Sequence, residues 1–480
     1  MIPLTLAEVA AATGGRVDPP GAADVVVTGA ASLDSRAVPA GGLFVALPGE
    51  RVDGHDYAAA AVAGGAAAVL AERSVGVPAV VVPDGAVALG RLAHAVLGRL
   101  PGATVLAVTG SQGKTGVKDY LEQVLSAAGP TVATAGNLNN ELGVPLTVLR
   151  ADADTRFLVV EMGARGIGHI AYLCTIAPPR VAGVLNVGSA HVGEFGSVEN
   201  IAVAKGEIVE ALGADGRAVL NADDHRTAAM AARTQAPVLT FGEAGDVAWR
   251  DLRLDALGRP RVELGYAGTW VPLSLAASGA HQVANAAAAV AFAVAAGVPF
   301  TDAVAALDGA GSRSRWRMEV TERADGLVVV NDAYNANPAS MAAAVRTLVA
   351  IAAERPGGRA VAVLGEMREL GDGAEAEHRA LGALAAASGV DVVLAVGETD
   401  GPAGWIVAGA VPGAGTADRR DPGAPESFVT STRDEALRWL GENVSARDVV
   451  LVKASRGAAL EVVADGLLAG PVTGEEGPTT

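Results

Sequence analysis

Residues 104–129 read TVLAVTGSQGKTGVKDYLEQVLSAAG, and this stretch decides the fold. Its first five residues are a mostly apolar run of the kind found in a buried parallel strand. A glycine-rich turn follows, then Lys114 and Thr115, and then apolar side chains at helical spacing. Gly129 and Pro130 mark a plausible end of that helix. The stretch therefore predicts a strand, a tight turn and a helix of an α/β unit.

The turn between this strand and helix is a candidate phosphate cradle. Backbone N–H groups at a helix start face an anion, a lysine neutralises outer phosphates, and the next hydroxyl can ligate Mg²⁺. The candidate residues are Gly110, Ser111, Gln112, Gly113, Lys114 and Thr115. The general pattern also requires a glycine at position 108, where this chain has Val108, so a generic kinase or GTPase signature is excluded. A glycine-rich turn that only caps a helix is the structural alternative.

Composition and charge bound the class of protein. A chain of 480 residues, half of them hydrophobic and 4% aromatic, is expected to form two to four close-packed α/β domains. The net charge of −17 argues against a nucleic-acid partner. Cys174 is the single cysteine, so a reducing compartment is expected. The N-terminus has no basic region before an apolar core, and no apolar run is long enough to span a bilayer, which predicts a cytoplasmic protein.

Two polar positions are expected near the cradle because each follows a predicted strand. Residues 157–160 are an apolar run that ends in Glu161, and the strand-like residues 181–186 precede His191. Nucleotides bind in the crevice at the carboxyl ends of parallel strands. A carboxylate there suits Mg²⁺, which prefers oxygen ligands together with phosphates. A solvated strand end and a structural histidine are the alternatives.

A lysine occupies an apolar helical stripe. Val198, Ala202, Lys205, Val209 and Leu212 share one face of a predicted helix. Burial of an unpaired ammonium is costly and depresses its pKa. Either the stem of Lys205 lies on the core while its charge reaches water, or the neutral amine reacts with CO₂ to form a carbamate.

The remainder of the chain shows weaker patterns. Residues 246–275 alternate apolar and polar side chains, as in antiparallel strands. Arg313, Arg315 and Arg317 stand at alternate positions, which predicts one face of a strand. Residues 360–364, 391–396 and 448–452 predict a doubly wound parallel sheet. Residues 399–427 are rich in glycine and proline and predict an enlarged surface loop.

Several motifs in order resemble the Mur ligase family, in particular its members that add D-alanyl-D-alanine. They are TGSQGKT at 109–115, NLNNELGVP at 137–145, AKGE at 204–207 and DAYNANPASM at 332–341. The resemblance implies an α/β protein of three domains. These are a small N-terminal UDP-sugar-binding domain at 1–102, a central ATP-binding domain with a P-loop-type, mostly parallel sheet at 103–312, and a doubly wound C-terminal domain at 313–480.

The resemblance also implies roles for individual residues. It adds Asn285, Arg317, Asp332 and Asn335 to the cradle as contacts of ATP. It assigns one Mg²⁺ to Thr115 and Glu161, and a second Mg²⁺ to His191 and carbamylated Lys205. The residues that it assigns to the UDP-sugar peptide substrate are Ser35, Arg36, Asn137, Asn139 and Asn140. The residues that it makes catalytic are Lys114, His191 and Lys205.

The activity implied by the resemblance is ATP-driven amide formation through an acyl phosphate. The expected partners are UDP-N-acetylmuramoyl-tripeptide and D-alanyl-D-alanine, with no nucleic acid, no membrane insertion and a monomeric chain. The alternatives are a sister ligase that adds an amino acid, a folate-polyglutamating ligase, and a nucleotide-binding regulatory protein with an inactive site. The motifs DAYNANPASM and NLNNELGVP speak against the first two, and the retained Lys114, Glu161 and Lys205 speak against the third.

Overall fold

The computed structural model describes residues 1–49, 52–188, 192–311, 313–411 and 424–470. Strands and helices alternate along most of the chain, and separate, mainly parallel sheets form within residues 16–81, 104–241 and 319–453. Helices cover these sheets and bury their apolar faces. The predicted α/β class and its N-terminal, middle and C-terminal sheets are therefore confirmed.

The N-terminal section is a small α/β unit. Its strands are β1 (Leu4–Thr5), β2 (Arg16–Asp18), β3 (Val26–Val27), β4 (Ala31–Ser32), β5 (Leu43–Val45), β6 (Ala68–Ala71) and β7 (Ala79–Val81), and its helices are α1 (Leu6–Thr13), α2 (Ala58–Ala63) and α3 (Gly85–Leu97). The main sheet has the order β2–β7–β6–β5–β4, and its pairs are parallel except β2 with β7.

The middle section is built on a parallel sheet with a smaller antiparallel one beside it. Its strands are β8 (Thr104–Thr109), β9 (Thr131–Ala133), β10 (Phe157–Glu161), β11 (Val181–Val184), β12 (Arg217–Asn221), β13 (Val238–Phe241), β14 (Ala248–Leu254), β15 (Pro260–Tyr266) and β16 (Thr269–Ser274). Its helices are α4 (Lys114–Ala128), α5 (Gly143–Val148), α6 (His169–Ile176), α7 (Val192–Phe195), α8 (Val198–Glu210), α9 (His225–Ala229), α10 (His281–Ala295) and α11 (Phe300–Leu307). The parallel order is β13–β12–β11–β8–β10–β9. The antiparallel strands predicted in residues 246–275 are β14 to β16.

The position of β8 explains where the site lies. It pairs in parallel with β10 on one side and β11 on the other, so the carboxyl ends of all three strands meet. The helix predicted after the glycine-rich turn is α4, which ends at Ala128 as the sequence indicates. Helix α3 of the N-terminal section packs against the middle section so closely that a Cβ at Gly90 would lie 3.1 Å from Ile176 Cδ1. One apolar core joins the two sections here.

The C-terminal section is a doubly wound sheet. Its strands are β17 (Glu319–Glu322), β18 (Val328–Asn331), β19 (Ala360–Leu364), β20 (Val392–Val396), β21 (Glu426–Thr430) and β22 (Val449–Lys453), and its helices are α12 (Pro338–Ala353), α13 (Ala374–Ala387), α14 (Pro402–Ala410), α15 (Arg433–Asn443) and α16 (Glu461–Ala469). The strand order is β17–β18–β22–β19–β20–β21. Among the strand pairs that the described residues form in this sheet, only β17–β18 is antiparallel. Short 3₁₀ helices span Pro20–Ala22, Gly54–Tyr57, Met230–Arg233, Gly371–Gly373 and Arg456–Ala458.

Two local predictions are wrong. Arg313, Arg315 and Arg317 do not share a strand face, because β17 begins only at Glu319 and the backbone before it turns through left-handed conformations at Trp316 and Met318. Residues 399–427 are not a continuous loop, because they contain α14, which starts with a proline at a position where its missing N–H costs nothing. None of the helices in the described part of the chain has the length and hydrophobicity that a membrane crossing requires.

Candidate active site

A cavity of about 1240 Å³ lies between the middle and C-terminal sections. The carboxyl ends of β8 and β10 reach it from one side and those of β18 and β22 from the other. The predicted site residues that line it are Ser111, Gln112, Gly113, Lys114, Thr115, Asn137, Asn139, Asn140, Glu161, Lys205, Asn285, Arg317, Asp332 and Asn335. His191 lies outside the described residues.

The N-terminal candidates Ser35 and Arg36 do not line this cavity. Arg36 instead donates from Nε and Nη2 to the two carboxylate oxygens of Asp34, each at 2.9 Å, on an exposed loop. The hydrogen bond from Arg36 is the main reason that the pKa of Asp34 falls to about 2. Arg36 therefore makes a local contact with Asp34, and neither Ser35 nor Arg36 lines the central cavity.

The glycine-rich turn is held by a residue that the sequence analysis missed. The N–H groups of Ser111 and Gln112 donate to the main-chain oxygen and to Oδ1 of Asn186, at 3.1 and 3.0 Å. Gly113 then adopts φ of 80°, and a Cβ there would lie 2.8 Å from Oδ1 of Asn285, so glycine is required. The first turn of α4 leaves backbone N–H groups without partners inside the helix, and these groups face the cavity as an anion site.

Lys114 is the first residue of α4 and points back over the turn. Its Nζ donates to the main-chain oxygen of Gly110 at 2.7 Å. Burial lowers the pKa of Lys114, while the charge of Glu161 opposes this shift and that of Arg317 adds to it. An ammonium in such a position is stabilised by a further anion, which is what a nucleotide phosphate supplies.

The next residue, Thr115, faces a buried carboxylate. Its Oγ1 lies 3.0 Å from Oε2 of Glu161, and Oε1 of Glu161 accepts from Nδ2 of Asn139 at 2.7 Å. A hydroxyl and one carboxylate fit Mg²⁺, because this ion keeps several waters and is bound by one or two carboxylates together with substrate phosphates. No group of three or more His, Cys, Asp or Glu side chains within the described ranges is arranged to hold a metal.

Lys205 lies on the buried face of α8 and is 4% exposed. Burial lowers its pKa well below the ordinary value for lysine, and the positive charge of Lys114 lowers it further. Two residues on, Glu207 accepts from the N–H groups of Gly168 and Ala171 at 2.5 and 2.9 Å. Glu207 thereby ties α8 to the start of α6, whose residues line the cavity.

The C-terminal side of the cavity centres on Asp332. Its Oδ2 lies 2.5 Å from Nζ of Lys453, and its Oδ1 accepts from the N–H of Met318 at 3.0 Å. Lys453 also donates to the main-chain oxygen of Asn335 at 2.8 Å. Nearby, the guanidinium of Arg317 stacks on the ring of Tyr334 at 3.9 Å. Lys453 was not among the predicted site residues, although its position at the carboxyl end of the last strand was a signal for it.

The start of α10 closes the cavity from the middle side. Nδ2 of Asn285 donates to Oε1 of Gln282 at 3.1 Å, and the hydroxyl of Tyr120 donates to the same oxygen at 3.2 Å. His281, which the sequence analysis did not select, also lines the cavity, and burial is the main cause that lowers its pKa. Polar side chains from α10, the glycine-rich turn and the segment after β18 thus surround one space, which suits a nucleotide.

Comparison with protein families agrees with this arrangement. The model of the Mur ligase middle domain matches residues 108–293, that of the Mur ligase glutamate ligase domain matches residues 316–456, and that of the Mur ligase family catalytic domain matches residues 30–96.

Individual relatives match over most or all of the chain. The UDP-N-acetylmuramoyl-tripeptide–D-alanyl-D-alanine ligase of Mycobacterium tuberculosis (strain H37Rv) is 46% identical, with 100% of both chains covered. The protein of the same name from Escherichia coli is 37% identical over 83% of this chain and 87% of the relative. Among solved structures, MurF from Acinetobacter baumannii has a TM-score of 0.85 at 33% identity, covering 98% of this chain and 99% of that one. MurF from Thermotoga maritima in complex with ADP has a TM-score of 0.77 at 32% identity, covering 92% and 97%.

Proposed function

The chain belongs to the Mur ligase family, and from this premise we propose the reaction that its site performs. It is an ATP-dependent ligase that joins D-alanyl-D-alanine to UDP-N-acetylmuramoyl-tripeptide in peptidoglycan precursor synthesis. The observation that carries this function is the shared cavity, in which Lys114, Thr115, Glu161, Arg317 and Asp332 face one another.

The reaction follows from the charges around the cavity. A carboxylate oxygen of the tripeptide attacks the γ-phosphorus of ATP, the bond to the bridging oxygen breaks, and ADP leaves. The amine of D-alanyl-D-alanine then attacks the acyl phosphate carbon, loses a proton to solvent, and expels phosphate. Attack of an anion on a polyanion requires positive charge placed in advance, and Lys114 and Arg317 provide it. Bound Mg²⁺ supplies further neutralisation of the phosphates beside Thr115 and Glu161.

The roles of the individual nucleotide contacts are part of this proposal. The first turn of α4 and Lys114 bind the β- and γ-phosphates, and Arg317 binds them from the C-terminal section. Asp332 accepts from the ribose hydroxyls, and Asn285 and Asn335 contact the adenine. Because these side chains come from both sections, nucleotide binding draws the sections together. The domain limits 1–102, 103–312 and 313–480 are proposed on the same basis, since each sheet falls inside one of them.

For Lys205 we propose a carbamate. The neutral amine attacks CO₂, an N–C bond forms, and a proton leaves to solvent. Burial and the positive charge of Lys114 both disfavour an ammonium at this position, and the same positive charge favours an anion. The carbamate oxygens and His191 are the proposed ligands of a second Mg²⁺. Carbon NMR with ¹³C-labelled bicarbonate tests this: a carbamate signal that is lost in Lys205→Met is expected, and a bare amine in active enzyme contradicts it.

The substrate contacts outside the nucleotide site are also proposed. Asn137, Asn139 and Asn140 lie along the cavity on the segment before α5, where they suit the peptide of the acceptor. Ser35 and Arg36 are proposed contacts of the UDP moiety, for which Arg36 exchanges its bond to Asp34 for one to a phosphate. The cytoplasm as location and a monomeric state are proposed as well, because both substrates are water-soluble metabolites and the net charge of −17 opposes self-association.

A phosphate-release assay tests the function. Release of phosphate from ATP is expected only when UDP-N-acetylmuramoyl-tripeptide and D-alanyl-D-alanine are both present. A panel of free amino acids in place of the dipeptide separates this ligase from its sister enzymes. Turnover with a single amino acid but not with the dipeptide contradicts the proposal, as does binding of ATP without any acceptor-dependent turnover.

A further inference from the structure

A buried carboxylate joins the helix of the phosphate cradle to the segment that enters the C-terminal section. Asp119 lies on α4, and its side chain is 1% exposed. Its Oδ2 accepts from the N–H groups of Arg313 and Ser314 at 3.2 and 3.0 Å. Its Oδ1 accepts from the hydroxyl of Ser314 at 3.1 Å and from Nζ of the buried Lys118. Both oxygens of this buried anion are therefore occupied by donors, as a buried charge requires.

The segment from residue 313 to residue 318 is fixed at both ends and bent between them. Asp119 holds its beginning, and Asp332 holds its end through the N–H of Met318 at 3.0 Å. Trp316 and Met318 adopt left-handed φ angles of 59° and 49°. Such angles persist in residues other than glycine only when the surroundings determine them, so the two carboxylates define this path.

Arg317 stands in the middle of that path. Its guanidinium stacks on Tyr334 and lines the cavity, and its charge acts on the pKa of Lys114. Its buried Nε has no hydrogen-bond partner within the described chain. The side chain is thus held in place by its backbone and by Tyr334, which contributes both the stacked ring and a side-chain hydrogen bond, and Arg317 lines the cavity in which an anion would bind.

We propose that Asp119 is a positioning residue that sets Arg317 against the nucleotide phosphates. Asp119 and Lys114 share α4, so this carboxylate places the arginine of one section and the lysine of the other in a common frame. The inference rests on the proposed function in one respect, namely that the anion in the cavity is the phosphate tail of ATP.

A double-mutant cycle tests this inference by the affinity for Mg²⁺ and the ATP analogue AMPPNP, measured by calorimetry. In Asp119→Asn, an NH₂ group replaces one carboxylate oxygen and faces either the backbone donors or the side-chain donors. Because two donors cannot form a hydrogen bond with each other, this change releases the segment from residue 313 to residue 318. We expect Asp119→Asn and Arg317→Ala each to weaken binding at least fivefold, and the double variant to lie within twofold of Arg317→Ala. Asp119→Glu, which keeps the charge, should restore part of the affinity. Ser126→Ala, an exposed change two turns further along α4 that lies away from the segment, is the control and should bind as the wild type does.

Two results overturn the proposal: Asp119→Asn within twofold of the wild type, or a further fivefold loss when it is added to Arg317→Ala. If Asp119→Asn does not fold, Ser314→Ala replaces it in the cycle, because it removes one donor from the segment and leaves the pair of Asp119 with Lys118. If Ser314→Ala weakens AMPPNP binding and this effect is not additive with that of Arg317→Ala, the proposal is supported. An additive effect contradicts it. AMPPNP binding does not depend on the amine substrate, so a failed phosphate-release assay with an intact cycle refutes the proposed function and leaves this inference standing.

Discussion

The Nζ of Lys453 lies 2.5 Å from Oδ2 of Asp332, across 121 positions of the sequence. Lys453 ends β22, Asp332 directly follows the neighbouring strand β18, and the lysine is almost fully buried. A pair of this kind contributes little net stability, but loss of one partner leaves the other as an uncompensated buried charge. Asp332 is the proposed ribose contact, so its orientation in the nucleotide site depends on Lys453.

Lys453→Met should therefore impair both stability and nucleotide use. We expect the free energy of unfolding to fall by about 3–5 kcal/mol in urea titrations, and the KM for ATP to rise. The double variant with Asp332→Asn removes both charges and should recover most of the stability while its KM for ATP stays high. A single variant as stable as the wild type, or a double variant as unstable as the single one, contradicts this account.

Lys114→Ala tests the phosphate cradle. The variant removes a cation that stabilises the transition state but leaves the apolar packing of α4 in place. We expect kcat to fall by at least about 10²–10³-fold, with a thermal midpoint within a few degrees of the wild type. Activity within tenfold of the wild type in a folded variant would remove Lys114 from the mechanism.

Glu207→Ala tests the link between α8 and α6. The carboxylate accepts from two backbone N–H groups at the start of α6, and without it these donors lose a charged acceptor. We expect a loss of about 1–3 kcal/mol in the free energy of unfolding, and a higher KM for the UDP-linked substrate because His169 and Tyr172 of α6 line the cavity. Glu207→Gln keeps one acceptor and should lose less. Equal stability of the wild type, Glu207→Ala and Glu207→Gln would show that this carboxylate does not stabilise the start of α6.

His378 predicts a pH dependence of stability. Its Nε2 accepts from the N–H of Met367 at 2.8 Å, and its Nδ1 lies 2.6 Å from the main-chain oxygen of Ala374, so the ring is neutral and donates from Nδ1. Burial is the main cause that lowers the pKa of His378 below its ordinary value of 6.5. The unfolded chain therefore binds more protons than the folded chain as the pH falls below about 6.5.

The contribution of His378 to the free energy of unfolding is thus complete above pH 6.5. It declines as the pH falls from there toward the lower pKa that His378 has in the folded state. We expect the difference in unfolding free energy between the wild type and His378→Gln to shrink over this range, as measured by urea titrations at a series of pH values. A difference that is constant or that grows toward acid contradicts the neutral ring.

The sequence predicts the centre of the site better than its surroundings. The strand, turn and helix at 104–129 form a local pattern, and Glu161 follows from the rule that parallel strands end at one crevice. The buried position of Lys205 follows from an apolar helical stripe, although the helix ends at Glu210, before Leu212. Each of these features depends on residues close together in sequence.

Contacts between distant segments escaped the sequence analysis. Asn186 holds the glycine-rich turn from 74 positions away, and Lys453 meets Asp332 from the other end of its section. The bend at Trp316 and Met318 was predicted as a strand, because alternating arginines suit a strand and the anchor at Asp119 is not visible in that pattern. Helix α14 was hidden by its proline and two glycines and by the glycine- and proline-rich residues around it, a composition that favours a loop, and packing against α13 is not visible in that pattern.

In the proposed reaction, the acceptor carboxyl is phosphorylated in this cavity before the amide forms. The most direct test labels both oxygens of that carboxyl with ¹⁸O and analyses the released phosphate by mass spectrometry. We expect one ¹⁸O in phosphate for each amide formed, since the oxygen that attacks the γ-phosphorus leaves with it. Phosphate without label, while D-alanyl-D-alanine is joined to the acceptor, would contradict the account.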